Sequence, residues 1–259
     1  YVTTPGIQNL PLEVKEDKNK VSDFKLDSAS ELPINFGMVF DVSGSMKADH
    51  KLEKAKEAAI EFIELMKSND KAFLIKFSDA PELVQGLISD RRKLQQEIEY
   101  FQPLHGTALY DSVYMGVEMI SKVKDRPALV ILTDGVDENA ARTGPGSVRT
   151  LREVVDFAKK LDVQIFSIGL GRELRMRGSK GEGVLRTFSE QTGGSYFFAP
   201  SASELEQIFR TVIREVGSQS KLSFVPPSGA NDGAWHTIEL GIPTRKELTF
   251  IYKPTYLAK

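Results

Sequence analysis

Short apolar runs at Ile34 to Phe40, Ala72 to Phe77, Ala128 to Leu132, Val163 to Ile168 and Ser195 to Phe198 alternate along the chain with segments of helical period. In the first of these helical segments the apolar residues fall at Leu52, Ala55, Ala59, Phe62 and Met66, which lays one stripe against a sheet. Further helical patterns run from Arg91 to Tyr100, Ala108 to Lys124, Val148 to Leu161, Val184 to Thr192 and Ala202 to Val216. Right-handed crossovers put such helices on both sides of the sheet. The expectation is therefore an α/β fold, with a Rossmann-like, mostly parallel sheet and helices on both faces. Leu83 to Ile88, after Pro81, departs from the alternation and is expected as an antiparallel edge strand or hairpin arm.

The two ends follow a different rule. Leu12 to Lys15 and Val21 to Leu26 flank a polar turn, and after Gly217 the helical patterns stop in favour of Leu222 to Val225, Trp235 to Leu240 and Leu248 to Tyr252. An isolated two-stranded hairpin is marginal in water, so the amino-terminal hairpin is expected to pair with the carboxyl-terminal strands in a small antiparallel β unit. The predicted organisation is residues 1–32 and 218–259 in that unit and residues 33–217 in the α/β domain. A chain of 259 residues with 41% hydrophobic content has enough material for both.

In doubly wound sheets, ligands bind beyond the carboxyl ends of the strands. At that rim the first strand runs into Asp41-Val42-Ser43-Gly44-Ser45, whose alternate positions bring one carboxylate and two hydroxyls to the same side. Thr107, just before a helical pattern, and Asp134, just after the run Ala128 to Leu132, reach the same rim. An all-oxygen set of this kind suits a hard divalent cation, since magnesium takes six oxygens at about 2.1 Å. The competing reading, that Asp41 and the serines merely cap the next helix, leaves Thr107 and Asp134 without a role.

Asp41, Ser43, Ser45, Thr107 and Asp134, in that order, match the metal-ion-dependent adhesion site (MIDAS) of the von Willebrand factor A domain family, which the chain resembles over roughly residues 33–217. The resemblance implies that Ser43, Ser45 and Thr107 ligate the ion and that Asp41 and Asp134 support it, often through water. It further implies a vacant coordination position for a carboxylate from a protein or peptide partner. Magnesium is the expected ion, with manganese and calcium as alternatives. A looser likeness, carried by Leu12 to Asp17 and Asp232 to Ile238, is to bacterial VWFA-related proteins of acidobacterial type, and it implies a secreted, periplasmic or cell-surface protein. The chain opens at Tyr1 with no charged and apolar leader, as expected of a trimmed or mature fragment.

Enzymatic readings find less to build on. Haloacid-dehalogenase-type phosphotransferases need Asp-x-Asp after the first strand, and here Ser43 takes the second acidic place. The three histidines, His50, His105 and His236, lie far apart in sequence, and the chain has neither a Gly-x-Ser-x-Gly elbow nor a Gly-x-x-x-x-Gly-Lys loop. A net charge of −2 offers no footprint for nucleic acid, no apolar run reaches the length of a membrane span, and the lack of cysteine rules out disulfides and thiolate zinc sites. The expected function is divalent-cation-dependent protein binding without turnover. An intracellular assembly subunit serving an ATPase, as in magnesium-chelatase-like systems, is the alternative, ahead of a metal-dependent phosphohydrolase. The basic loop from Leu170 to Gly183, with Arg172, Arg175, Arg177 and Lys180, is a candidate for contacts to an acidic ligand.

Overall fold

The computed structural model describes all residues except 4–9, 124–125, 177–179, 228, 230–231, 246 and 259. Arg177 of the basic loop and Lys124 therefore lie outside the described residues. The chain begins with β1 (Val2–Thr3), the hairpin strands β2 (Glu13–Glu16) and β3 (Asn19–Val21), and β4 (Phe24–Ser28). The α/β part follows as β5 (Ile34–Asp41), α1 (Lys51–Leu65), β6 (Lys71–Phe77), β7 (Pro81–Ile88), α2 (Arg91–Glu99), α3 (Leu109–Ile120), β8 (Arg126–Thr133), α4 (Leu151–Lys160), β9 (Gln164–Leu170), α5 (Gly181–Thr192), β10 (Tyr196–Ala199) and α6 (Leu205–Gly217). The chain then closes with β11 (Ser220–Phe224), β12 (Trp235–Gly241), β13 (Ile251–Tyr252) and β14 (Thr255–Leu257).

The central sheet has the order β10-β9-β8-β5-β6-β7, parallel except for β7, which pairs antiparallel with β6 as expected of an edge strand. Every residue of β5 is buried. Its period of two sends Phe36, Met38 and Phe40 to one face with α1, α2 and α6, while Val39 joins the opposite core with α3, α4 and α5. On the first face Phe62 of α1 packs edge-on against Phe36, with ring centroids 4.9 Å apart. On the second face Gly37 lets its neighbours close in. A Cβ at Gly37 would lie 2.4 Å from the Phe73 ring and 2.6 Å from Leu129, a position only glycine fits.

The strand order reverses between β5 and β8, since β6 lies on one side of β5 and β8 on the other. A crevice opens at such a switch point. Asp41 ends β5, and Asp134 directly follows the end of β8, so the sheet topology alone puts both carboxylates at its mouth.

The terminal strands make two further four-stranded antiparallel sheets, β13-β1-β11-β4 and β14-β12-β2-β3. Val21 to Leu26 is not one strand. It divides at Ser22 and Asp23, so that β3 belongs to one of these sheets and β4 to the other. The β2–β3 turn carries Asp17 and Lys18 at φ of 45° and 73°, the left-handed pair that a tight hairpin requires. The anticipated strand from Leu248 to Tyr252 shrinks to Ile251–Tyr252, and Thr255–Leu257 after Pro254 adds an edge. Arg126, 2% exposed at the start of β8, ties the ends to the main sheet by donating to the carbonyls of Ala29 and Val216.

Candidate metal centre

The site starts where β5 stops. Asp41 is fully buried. Its Oδ1 accepts from the Ser43 backbone N–H at 2.7 Å, and its Oδ2 accepts from the Thr133 hydroxyl at 2.5 Å. The inward turn of the chain at Ser43 therefore depends on Asp41 itself. Ser43 Oγ lies 3.0 Å from Ser45 Oγ, and Ser45 Oγ donates to Asp134 Oδ1 at 2.6 Å. One hydrogen-bonded chain thus links Asp41, Ser43, Ser45 and Asp134 across the mouth of the crevice.

Thr107 arrives on a separate loop. It exchanges two backbone hydrogen bonds with Glu138, and its side chain shares a cavity of about 400 Å³ with Ser43, Ser45 and Asp134. The Thr107 hydroxyl has no hydrogen-bond partner among the described residues. All five residues anticipated from the sequence therefore meet in one place: four are directly linked, and Thr107 lies on the facing wall. His105 also lines this cavity.

The capping reading fails on geometry. Ser43 precedes two short 3-10 turns over Gly44–His50 without a side-chain cap bond, and the residue before α1 is His50, which caps nothing either. The hydroxyls are turned into the crevice.

Burial, and next the nearby charge of Asp134, push the Asp41 carboxyl up to about 7, against the opposing hydrogen bonds from Ser43 and Thr133. Two carboxylates held this close at the mouth of a crevice call for positive charge between or beside them. Part of it is already supplied by Lys51, the first residue of α1, whose side chain is 8% exposed and whose Nζ lies 2.7 Å from Asp134 Oδ2 and 3.5 Å from Glu173 Oε2. Burial works against the Lys51 charge, but Asp134 and Glu173 outweigh it and hold its pKa above the ordinary lysine value.

Among the described residues no group of three or more His, Cys, Asp or Glu converges. The donor set here is two carboxylates and three hydroxyls, all oxygen, and it fits a hard divalent ion that keeps part of its water.

Sequence reasoning misses Thr133 and Lys51. Thr133 was visible as the residue before Asp134 at a strand end. Lys51 offered no local signal, because its burial depends on Asp134 and on Glu173 in the turn after β9. The nearby carboxylates of Asp137 and Asp111 are taken up by loop backbone. Asp137 accepts from the backbone N–H groups of Tyr110, Gly146 and Ser147 and so ties up the loop behind Thr107, while Asp111 accepts from those of Val148 and Arg149. In the basic loop, Arg175 is engaged by Glu182 at 3.0 Å and lies over the Phe198 ring, 3.6 Å from its centroid.

Residues 37–136 match the family profile of the von Willebrand factor type A domain. Inter-alpha-trypsin inhibitor heavy chain H3 of Pongo abelii is 28% identical over 156 residues, which are 55% of this chain and 17% of that protein. The chain thus spans about a sixth of that relative's length. Among solved structures, the vWF domain of the type V pili tip protein Mfa5 from Porphyromonas gingivalis superposes with a TM-score of 0.59 at 12% identity, covering 73% of this chain and 97% of that one. Proximal thread matrix protein 1 from the mussel byssus, with its MIDAS motif occupied by zinc, gives 0.61 at 18% identity, covering 77% and 50%.

Proposed function

Starting from the von Willebrand factor type A domain that this chain carries, an interaction module by family, we propose that the crevice at the β5–β8 switch point is a MIDAS that captures an acidic group of a protein partner through a divalent cation. Residues 33–217 form the domain in this reading, and residues 1–32 and 218–259 form the β unit appended to it. The observation that carries it is the hydrogen-bonded chain from Asp41 through Ser43 and Ser45 to Asp134, with Thr107 on the same cavity wall.

Ser43, Ser45 and Thr107 are the direct ligands, and Asp41 and Asp134 hold them and the ion's water in place. Hydroxyls and water are weak neutral donors, so a bound magnesium, manganese or calcium ion stays electrophilic enough to take a carboxylate from outside. The zinc-occupied MIDAS of the byssus protein supports a divalent ion at such a site in this fold. The buried Asp41, fixed by the Thr133 hydroxyl, would orient Ser43 toward the ion. The reading is one of binding without turnover.

A secreted or surface location belongs to the same proposal and is supported by the pili tip protein among the structural neighbours. No helix of the described residues is long and apolar enough to cross a membrane. Calorimetric titration with magnesium and manganese, together with capture of surface proteins with and without chelator, tests the proposal. Saturable ion binding and chelator-sensitive capture, both lost in Ser43→Ala, are the expected result. Capture that ignores chelator would overturn it.

A further inference from the structure

Lys51 stands where nothing in the five-residue cation set asks for a lysine. Three separate elements are built around its ammonium: α1 supplies it, the end of β8 supplies Asp134 at 2.7 Å, and the turn after β9 supplies Glu173 at 3.5 Å. The turn is shaped to leave the space. Gly171 sits at φ +90°, and a Cβ there would lie 2.4 Å from Glu173 Oε2 and 3.1 Å from Lys51 Nζ. Asp134 is divided between two partners, with Oδ1 facing Ser45 and the crevice and Oδ2 facing Lys51.

We propose that Lys51 is the resident counter-cation of the site: it neutralises Asp134 when no divalent ion is bound and sets the affinity for that ion when one is. The second half rests on the cation reading of the crevice given above; the first half does not. A buried carboxylate with no positive partner is strongly destabilising, so an empty site without Lys51 would open. Lys51 is tethered to the first turn of α1 and cannot leave, so the fold tolerates an empty crevice. The same charge repels an incoming ion across a few ångströms of poorly solvated space, which keeps binding reversible. Glu173, with its side chain 57% exposed, tempers that repulsion from the solvent side.

The test titrates Mn²⁺ alone into the wild-type protein, Lys51→Gln and Glu173→Gln, and records thermal melting of each in excess EDTA and in saturating Mn²⁺. Lys51→Gln is expected to bind Mn²⁺ about tenfold tighter or more, from the loss of one repulsive unit charge. Its melting temperature should fall in EDTA and recover in Mn²⁺. Glu173→Gln should bind Mn²⁺ several-fold more weakly with little change in melting. If Lys51→Gln folds only with Mn²⁺ present and unfolds on chelation, the first half is supported, and the exposed Glu173 variant still decides the second.

Wild-type affinity in both variants overturns the affinity role. An unchanged Lys51→Gln melting temperature in EDTA overturns the counter-charge role. Absence of saturable Mn²⁺ binding in the wild type sinks the cation reading and the affinity role with it, and leaves the EDTA melting comparison to decide the counter-charge role alone.

Discussion

The Ser45 hydroxyl donates to Asp134 Oδ1 at 2.6 Å although 89 residues of chain separate them. Nothing local joins the two. Ser45 follows β5 and Asp134 follows β8, and these strands are neighbours because the sheet reverses its winding between them. The contact is therefore a product of topology, and it completes a chain of oxygens that no single loop could make.

Ser43→Ala is the cleanest removal of a ligand. Its hydroxyl pairs with Ser45 Oγ and also supports the Asp41 carboxyl, and the backbone N–H that Asp41 accepts from is retained. Stability should change by less than about 1 kcal/mol in urea unfolding. Divalent-ion binding should fall by at least about tenfold in calorimetry, because a neutral oxygen ligand is lost from a small set.

Thr133→Val removes the hydroxyl that donates to the buried Asp41 Oδ2 while keeping the side chain's shape. A buried carboxylate oxygen then lacks its donor, at a cost of about 1–3 kcal/mol. Denaturant midpoints of the chelated protein should drop accordingly. Asp41→Asn in the same background should restore part of the loss, since no charge is then left without a donor.

The architecture was open to inspection in the sequence because β5, β8 and β9 are continuous apolar runs and α1 has a clear stripe. Asp41, Ser43, Ser45, Thr107 and Asp134 were identifiable because each sits at the end of such an element. What stayed hidden depends on partners brought from afar. Lys51 reads as an ordinary basic residue of a first helical turn until Glu173 and Asp134 are placed around it. Ser22 and Asp23 are turn-favouring residues inside Val21 to Leu26, but only the three-dimensional pairing shows that the two halves go to different sheets. Thr255–Leu257, three residues beyond a proline, is too short to carry a period.

In the terminal β unit, His236 lies between two acids, with Nδ1 2.7 Å from Asp17 and Nε2 3.2 Å from Asp232. Hydrogen bonds donated to Asp17 and then to Asp232 raise the His236 pKa above 6.5, and those acids are held below 3.8, first by their backbone hydrogen bonds and then by His236. A raised histidine contributes stability that is complete below its unfolded pKa and lost as pH rises through the folded one. The depressed acids contribute above their unfolded pKa and lose it as pH falls. The bridge is therefore strongest between about pH 4 and pH 6.5 and weakens on either side. Amide protection of β12, taken relative to the intrinsic exchange rate at each pH, should be greatest in that window, and His236→Asn should remove the alkaline loss of protection.

Asp137 governs the loop behind Thr107 without touching the crevice. It accepts from the backbone N–H groups of Tyr110, Gly146 and Ser147 at 3.2, 2.9 and 3.0 Å and from the Ser147 hydroxyl, while its neighbour Glu138 holds Thr107 through paired backbone bonds. Asp137→Ala leaves those donors without their shared acceptor, at a cost of about 1–3 kcal/mol. Because Thr107 is paired with Glu138, the residue next to Asp137, the loss should spread to the cation site. Divalent-ion affinity is expected to fall several-fold although no ligand has changed. Asp137→Asn, which keeps one acceptor oxygen, should lie between Asp137→Ala and the wild type in both urea unfolding and calorimetric titration. Equal ion affinity in all three proteins would show that Thr107 keeps its place without this support.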